Sequence, residues 1–264
     1  MTPEFFAAIA PQIRTVTDQI SLHVLGEPLT HPHLEEFFEL SSQTDLRVNI
    51  TTNGTLIARH PEVLHPAVRQ INFSLQALEH GNNPAKILDD ILAFSDKARQ
   101  LRPDLYINFR LWNHESSLFD AGQPQNTHIV ETICAHLAVP VPTFTAGRKS
   151  RNLTGRIYLH LDTLFQWPGK AETEGQHRGF CHALSTHCAI LADGTVCPCC
   201  LDGDATLDLG NLHASSLAEI LLSPRAITMR EGFTRRQLVE PFCQTCTYCR
   251  RFTAKKASQF SPRS

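Results

Sequence analysis

The chain has 264 residues, of which 42% are hydrophobic and 19% charged, and its formal net charge is −2. This composition excludes a disordered chain, and the near-neutral charge argues against electrostatic binding to nucleic acid or to a membrane surface. No apolar run approaches the ~20 residues that cross a bilayer, and no signal peptide is visible, so we expect a cytoplasmic protein.

Strand-like and helix-like patterns alternate along the first two-thirds of the chain. A helix over residues 1–14 comes first and opens on a Thr-Pro-Glu start signal. The alternation that follows predicts a parallel sheet with crossover helices, either open or closed into a barrel. The strand-like runs are 20–25, 46–51, 70–75, 105–112 and 155–161, the helix-like segments are 33–42, 61–65, 84–101 and 127–137, and residues 139–152 are expected to form a loop.

Polar residues accompany the ends of these predicted strands. Gly26-Glu27-Pro28 follows the first strand, Asn53 follows the second, and Arg110 lies in the fourth. The carboxyl ends of parallel strands meet at one edge, where such folds bind ligands. A carboxylate accepts a cationic amine, and a guanidinium pairs with a carboxylate. Each residue alone also fits a structural role, such as a turn at Asn53-Gly54, but together they predict a ligand site led by Glu27.

The last third of the chain is rich in cysteine. Eight of the nine cysteines lie in CHALSTHCAILADGTVCPCC (181–200) and CQTCTYC (243–249), after a linker-like stretch at 167–179. A reducing compartment and an odd total favour metal ligands over disulfides. The Cys-x-x-Cys pair at 243 and 246 suits either a zinc ion or an iron–sulfur cluster, and spacing does not separate the two. The remaining Cys134 fits a buried free thiol.

A hairpin is predicted at Asp193-Gly194, read as a two-residue turn. Counting outward from that turn places Cys188 opposite Cys199, so Cys188 rivals Cys181 as a ligand. A short helix is expected over 216–222, capped by Ser215 or Ser216.

Several stretches together resemble the radical S-adenosylmethionine (SAM) superfamily and its twitch or SPASM accessory domain. They are GEPLTHP (26–32), TTNGT (51–55), FSLQA (73–77) and the cysteine pattern with LGNLHASSLAEILLSPR (209–225). The resemblance covers about residues 22–249. It implies a partial parallel (β/α) barrel over 1–165, a linker over 166–180, a Cys-rich hairpin and helix domain with an auxiliary cluster over 181–252, and a flexible tail over 253–264.

The resemblance also implies cofactors and roles. Gly26 and Glu27 would contact the amino group of SAM, Ser74 its ribose or carboxylate region, and Arg110 its carboxylate. Thr52 and Asn53 would line the same pocket. One auxiliary [4Fe–4S] cluster would be held by Cys181, Cys199, Cys243 and Cys246.

The family's defining Cys-x3-Cys-x2-Cys loop has no counterpart, because no cysteine precedes Cys134. The resemblance therefore implies a radical SAM protein without its first strand and SAM-cleaving cluster, inactive in this form, with SAM a cofactor only where that segment is present. Two functions stay open, and with them the question whether the chain is an enzyme. One is an oxidoreductase or maturase that abstracts hydrogen from a small molecule or peptide and is served by an electron donor. The other is a non-catalytic zinc or iron–sulfur module on an α/β platform.

Overall fold

A computed structural model of the chain describes residues 1–80, 82–114, 124–144, 149–164, 168, 175–249 and 251–252. It divides into two compact units. One, the sheet unit, is Arg14–Leu164, and the other, the Cys-rich unit, combines Met1–Ile13 with Phe165–Ser264. The predicted tail and most of the predicted linker lie outside the described residues, so the predicted domain boundaries stay predictions. No helix in the described ranges is long and apolar enough to cross a membrane.

The sheet unit is built on a six-stranded sheet of order β1-β2-β3-β4-β6-β5. All neighbours pair in parallel except β5, which is antiparallel to β6. This mostly parallel open sheet with crossover helices confirms the predicted fold class. The strands are β1 (Gln19–Ser21), β2 (Arg47–Thr52), β3 (Val68–Ser74), β4 (Tyr106–His114), β5 (Ser150–Thr154) and β6 (Ile157–Thr163). The α-helices are α2 (Leu34–Gln43), α3 (Pro84–Leu101) and α4 (Pro124–His136), and short 3-10 helices cover Pro28–Thr30, Ile57–Arg59, Pro61–Leu64 and Leu75–His80.

Helix α3 shows why the local sequence predicted its element well. The side chain of Asn83 caps the helix by accepting a hydrogen bond from the Lys86 N–H, and Pro84 occupies the first turn, where no donor is needed. Apolar residues recur every three or four positions and are buried against the sheet, among them Ile87 and Ile91. The observed bounds are those predicted.

The two faces of the sheet differ in chemistry because side chains alternate along each strand. One face carries the aliphatic and aromatic side chains that join α2, α3 and α4 in the core, such as Ile50, Phe73 and Phe109. The opposite face, called here the inner face, carries the residues that alternate with them. They are Asn49 and Thr51 on β2, Gln70, Asn72 and Ser74 on β3, Tyr106, Asn108, Arg110 and Trp112 on β4, and Tyr158, His160 and Asp162 on β6.

Strand β5 was missed by the sequence analysis, which expected a loop over 139–152. Its sequence, SRNLT, lacks the apolar alternation by which strands are recognised. Among the described strands β5 pairs only with β6, at the edge of the sheet. The turn at Gly155 joins the two, and the Asn152 side chain donates to the Gly155 carbonyl at 2.9 Å. Strand β1 is also shorter than predicted, ending at Ser21.

The Cys-rich unit consists of short elements. They are α1 (Pro3–Arg14), β7 (Ala189–Ile190), β8 (Val196–Cys197), α5 (Leu217–Leu221), α6 (Pro224–Thr234) and α7 (Pro241–Gln244). The capping box of Ser216 and Glu219 confirms the predicted cap of α5. Helix α1, which the sequence analysis grouped with the barrel, packs here: Phe5 stacks on His213 with ring centroids 4.2 Å apart, and Gln12 accepts a hydrogen bond from the Leu217 N–H.

The predicted register of the β7–β8 hairpin is wrong by one residue. Ala189 pairs with Cys197 and Ile190 with Val196, so Cys188 does not lie opposite Cys199. The Leu191 N–H donates to the Thr195 carbonyl, which leaves a three-residue loop rather than a two-residue turn. Gly194 closes this loop with φ +87°, the left-handed conformation that three-residue hairpin loops need at their last position. The prediction was wrong because Asp-Gly is compatible with both two-residue and three-residue hairpin loops.

Candidate functional site

Four thiols from separate parts of the Cys-rich unit lie in one neighbourhood. Burial raises the pKa of Cys243, and three nearby thiolates raise it further, those of Cys199, Cys181 and Cys246. Burial likewise raises the pKa of Cys199 to about 12, with smaller contributions from other thiolates that include Cys181 and Cys246. These mutual interactions bring together the four predicted ligands, which are up to 65 positions apart (246 − 181 = 65) in the sequence.

Local backbone geometry aims two of these sulfurs. The Ala183 N–H donates to the Cys181 sulfur at 3.4 Å, and the backbone at Leu201 donates to Cys199. In the second cluster the Cys246 N–H donates to the Cys243 carbonyl at 3.3 Å, which forms the tight turn that the Cys-x-x-Cys spacing predicts. The N–H groups that donate to the sulfurs of Cys181 and Cys199 stabilise a thiolate, so these two loops suit deprotonated cysteines.

The other cysteines of the unit divide into two groups. Burial raises the pKa of Cys188, and Cys197 is fully buried beside Asp202. Cys200 and Cys249 interact with the predicted ligands, since Cys200 raises the pKa of Cys199 and Cys249 donates to the Cys246 carbonyl at 3.0 Å. The observed register removes the pairing with Cys199 that made Cys188 a rival ligand, and the choice of Cys181 stays a prediction.

The described residues contain no group of three or more His, Cys, Asp or Glu side chains arranged to hold a single metal ion. The four thiols are therefore neighbours without forming a ready single-ion site.

In the sheet unit, Glu27 is fixed at the carboxyl end of the strands. One carboxylate oxygen accepts the Leu29 N–H at 3.1 Å, and the other accepts the Asn53 N–H at 2.8 Å. Glu27 thus ties the loop after β1 to the end of β2. Gly26 precedes it in the left-handed region, at φ +93°, and no atom lies within 4 Å of the position a Cβ would take. The backbone beside the carboxylate is therefore open.

Two predicted residues, Thr52 and Asn53, shape the turn after β2. The Asn53 side chain accepts hydrogen bonds from the Thr55 N–H at 2.9 Å and the Thr55 hydroxyl at 2.7 Å. Thr52 is 2% exposed, lies on the core face, and its hydroxyl accepts the Gly54 N–H. Both side chains have structural partners, and their predicted contact with a cofactor stays a prediction.

Strand register brings Ser74 and Arg110 together. Ser74 ends β3 and pairs with Arg110 on β4, which in turn pairs with His160 on β6. Arg110 lies within its strand, and its guanidinium stands over the Trp112 ring, 4.9 Å from the ring centroid. Its charge reaches two histidines: after burial, it is the second cause that lowers the pKa of His23, and it helps lower that of His160 to about 4.

His160 and Asn108 were missed by the sequence analysis. The signal was present in RIYLHL, where Tyr158 and His160 alternate with the core residues Ile157, Leu159 and Leu161. This period of two places both on the inner face with Arg110. Reading β6 only as an apolar run concealed that alternation.

Comparison with known proteins adds the family of the Cys-rich unit. Residues 181–249 match the model of the SPASM family, an iron–sulfur cluster-binding domain. Residues 181–249 form a SPASM domain. The four predicted ligands all lie inside it. No curated protein matches the chain.

A solved structure shares the fold. The crystal structure of BtrN in complex with AdoMet and 2-DOIA matches with a TM-score of 0.55 at 15% identity, over 94% of this chain and 80% of that chain. Weaker matches are selenomethionine BtrN in an open conformation, with a TM-score of 0.48, 14% identity and the same coverage, and archaeal TYW1, with a TM-score of 0.36, 14% identity and coverage of 52% and 53%. The chain thus shares its fold with BtrN and carries the predicted SPASM domain at residues 181–249.

Proposed function

We propose that the chain is an iron–sulfur protein of the radical SAM type that holds one auxiliary [4Fe–4S] cluster. The observation that carries the proposal is the meeting of four thiols inside the SPASM domain. The ligands would be Cys181, Cys199, Cys243 and Cys246.

The donor set fits such a cluster. The four thiols are all partly buried. For Cys181, Cys199 and Cys243, burial and repulsion from neighbouring thiolates raise the pKa and so disfavour the charged form. Iron ions between the sulfurs reverse both effects, because a metal-bound thiol is deprotonated and its charge is neutralised. The family's description as iron–sulfur cluster-binding supports iron and sulfide over zinc.

The edge of the sheet would bind SAM. The Glu27 carboxylate, already oriented by two N–H groups, keeps lone pairs for the ammonium group, and the open backbone at Gly26 allows its approach. Ser74 would take the ribose or carboxylate region, and Arg110, its partner in register, would take the carboxylate. Asn53 and Thr52 would form the wall of the turn. When bound, SAM and a cluster supply one-electron chemistry and hydrogen abstraction.

The reaction class that we propose is that of an oxidoreductase or maturase acting on a small molecule or peptide, with a separate electron donor. The chain would work in the cytoplasm, where reducing conditions keep its clustered thiols free. The sequence contains no Cys-x3-Cys-x2-Cys arrangement, and Cys134 is buried in α4. No SAM-cleaving step is therefore assigned to these residues.

The proposal is tested by anaerobic reconstitution with iron and sulfide, followed by iron, sulfide and zinc analysis. We expect one cluster per chain in the wild type, loss of nearly all iron in Cys243→Ser, and full retention in the matched control Cys188→Ser. A single tightly held zinc without sulfide would contradict the cluster.

The second candidate function, a metal-binding module without catalysis, is favoured by the missing Cys-x3-Cys-x2-Cys loop. The two are separated by incubating the reconstituted, reduced 264-residue chain with SAM and measuring 5′-deoxyadenosine. We expect none from these residues alone. Its formation would show that the chain itself cleaves SAM and would exclude the module.

A further inference from the structure

The row that holds Ser74 and Arg110 continues to His160. These residues occupy equivalent positions on β3, β4 and β6, and all three belong to the inner face. Arg110 and His160 are therefore direct neighbours across two parallel strands. The Arg110 charge also acts on the His160 imidazole, which shows that the two side chains lie near one another.

One rung below, a row of amides forms a hydrogen-bonded floor. The Asn72 Nδ2 donates to the Ile50 carbonyl at 3.0 Å, and the Asn108 Nδ2 donates to the Asn72 Oδ1 at 2.9 Å. Asn108 Oδ1 lies 2.9 Å from the His160 Nε2. Both asparagines are almost fully buried, at 2% and 6% exposure.

The floor has a fixed polarity because it starts at a backbone carbonyl, which can only accept. Asn72 must therefore turn its Nδ2 toward Ile50 and its Oδ1 toward Asn108. Asn108 must in turn donate to Asn72 and present its own Oδ1 to His160. Only an N–H can meet that oxygen, so His160 carries its proton on Nε2. A neutral imidazole of this kind leaves Nδ1 as an acceptor.

His160 is neutral at pH 7, because burial and the Arg110 charge lower its pKa to about 4. Among the described residues Nδ1 has no hydrogen-bond partner. The row thus holds a pure donor, the Arg110 guanidinium, and an acceptor, the His160 Nδ1, at paired positions on neighbouring strands.

We propose that Arg110 and His160 together bind a hydroxyl group of a small molecule, with Asn108 and Asn72 as positioning residues. The hydroxyl oxygen accepts from the guanidinium, and its O–H donates to Nδ1. A carboxylate has no proton for Nδ1, and an ammonium is repelled by Arg110, so a hydroxyl is the group that satisfies both at once. The guanidinium has five N–H donors, and the others remain for the carboxylate of SAM. The proposal deepens the proposed function, since it concerns the same row.

One more polar atom near Arg110 supports a ligand with more than one hydroxyl group. The His23 Nδ1, within range of the Arg110 charge, is buried without a hydrogen-bond partner. Leaving such an atom unpaired is unfavourable, and a hydroxyl can either donate or accept. The His23 Nδ1 therefore suits a further hydroxyl of the same molecule.

The hydroxyl could belong to the ribose of SAM or to the substrate, and calorimetry with two ligands separates these sources. For a ribose hydroxyl we expect His160→Phe to weaken SAM binding roughly tenfold, as for loss of one buried hydrogen bond. A SAM analogue that lacks this ribose hydroxyl should bind the wild type as weakly as SAM binds His160→Phe. The variant should bind the analogue and SAM equally. For a substrate hydroxyl, SAM binds wild type and variant equally, and glycerol added to SAM-saturated protein shifts the His160 nitrogen signals.

Selective ¹⁵N-histidine NMR reads the positioning roles directly, with the His160 signals assigned by their loss in His160→Phe. We expect the Nε2–H tautomer in the wild type, its retention in Asn108→Asp, which keeps an acceptor, and a mixture of tautomers in Asn108→Leu. An Nδ1–H tautomer in the wild type overturns the proposal. It is also overturned if His160→Phe leaves SAM affinity unchanged and glycerol does not shift the His160 nitrogen signals. If the wild type binds no SAM, the SAM part of the proposed function fails, while glycerol still tests the hydroxyl site on the SAM-free protein.

Discussion

The thiols of the SPASM domain and the inner face of the sheet are both polar sites, but they are balanced differently. On the inner face the amides of Asn72 and Asn108 satisfy one another and His160, so the floor is complete without a ligand. In the SPASM domain the thiolates of Cys181, Cys199 and Cys246 lie close enough to Cys243 to raise its pKa. A preformed hydrogen-bond network supports the fold around it, whereas a metal site gains its stability from the bound metal.

The largest expected effect of this difference is on the stability of the two units without a cluster. Removing iron from the reconstituted protein should speed hydrogen exchange in β7, β8 and α7 by roughly a hundredfold or more, because binding to the folded form alone stabilises it. Exchange in β3 and β4 should stay within the error of the measurement. Equal loss of protection in both units would contradict the comparison.

A smaller effect is expected at Glu27, which joins two loops within the sheet unit. In Glu27→Gln an amide N–H₂ replaces one carboxylate oxygen, so one of the backbone donors, Leu29 or Asn53, loses its acceptor. We expect a loss of about 1–3 kcal/mol in the free energy of unfolding, measured by urea denaturation. The matched control is Glu36→Gln, whose carboxylate pairs with His33 at the exposed start of α2. Unchanged stability in Glu27→Gln would show that its two hydrogen bonds are dispensable.

The smallest effect concerns the pH dependence of the sheet unit. The pKa of His160 is lowered in the folded state from 6.5 to about 4, so between these values the unfolded chain binds a proton that the folded chain does not. The titration of His160 therefore leaves the free energy of unfolding unchanged above pH 6.5 and lowers it as the pH falls toward 4. Because His160 is partly exposed, we expect a contribution of about 1 kcal/mol or less.

Urea unfolding across that pH range tests this expectation on His160→Phe. In His160→Phe the free energy of unfolding should fall less with acid than in the wild type. In the control His128→Phe, on the exposed surface of α4, it should fall as much as in the wild type. A decline of the same size in His160→Phe would mean that the imidazole titrates normally in the folded protein.

Much of the secondary structure was predictable because its causes are local. The cap at Asn83 and the apolar spacing of α3 set that helix, and the Ser216–Glu219 box set the start of α5. Strand β5 was not predictable in this way, because its polar sequence forms a strand only through pairing with β6. The Cys-x-x-Cys spacing likewise predicted a metal site, while the choice between zinc and iron–sulfur needed the family match.

The sequence by itself determined which residues can do chemistry here: the spacing of the cysteines, the Gly-Glu-Pro after the first strand and the alternation along β6. Tertiary structure decided which of them meet. It moved the β7–β8 register by one residue, so that Cys188 does not lie opposite Cys199, and it paired His160 with Arg110. The reason is that local propensity sets each element, while register and neighbourhood depend on loop conformation and on pairing between distant segments.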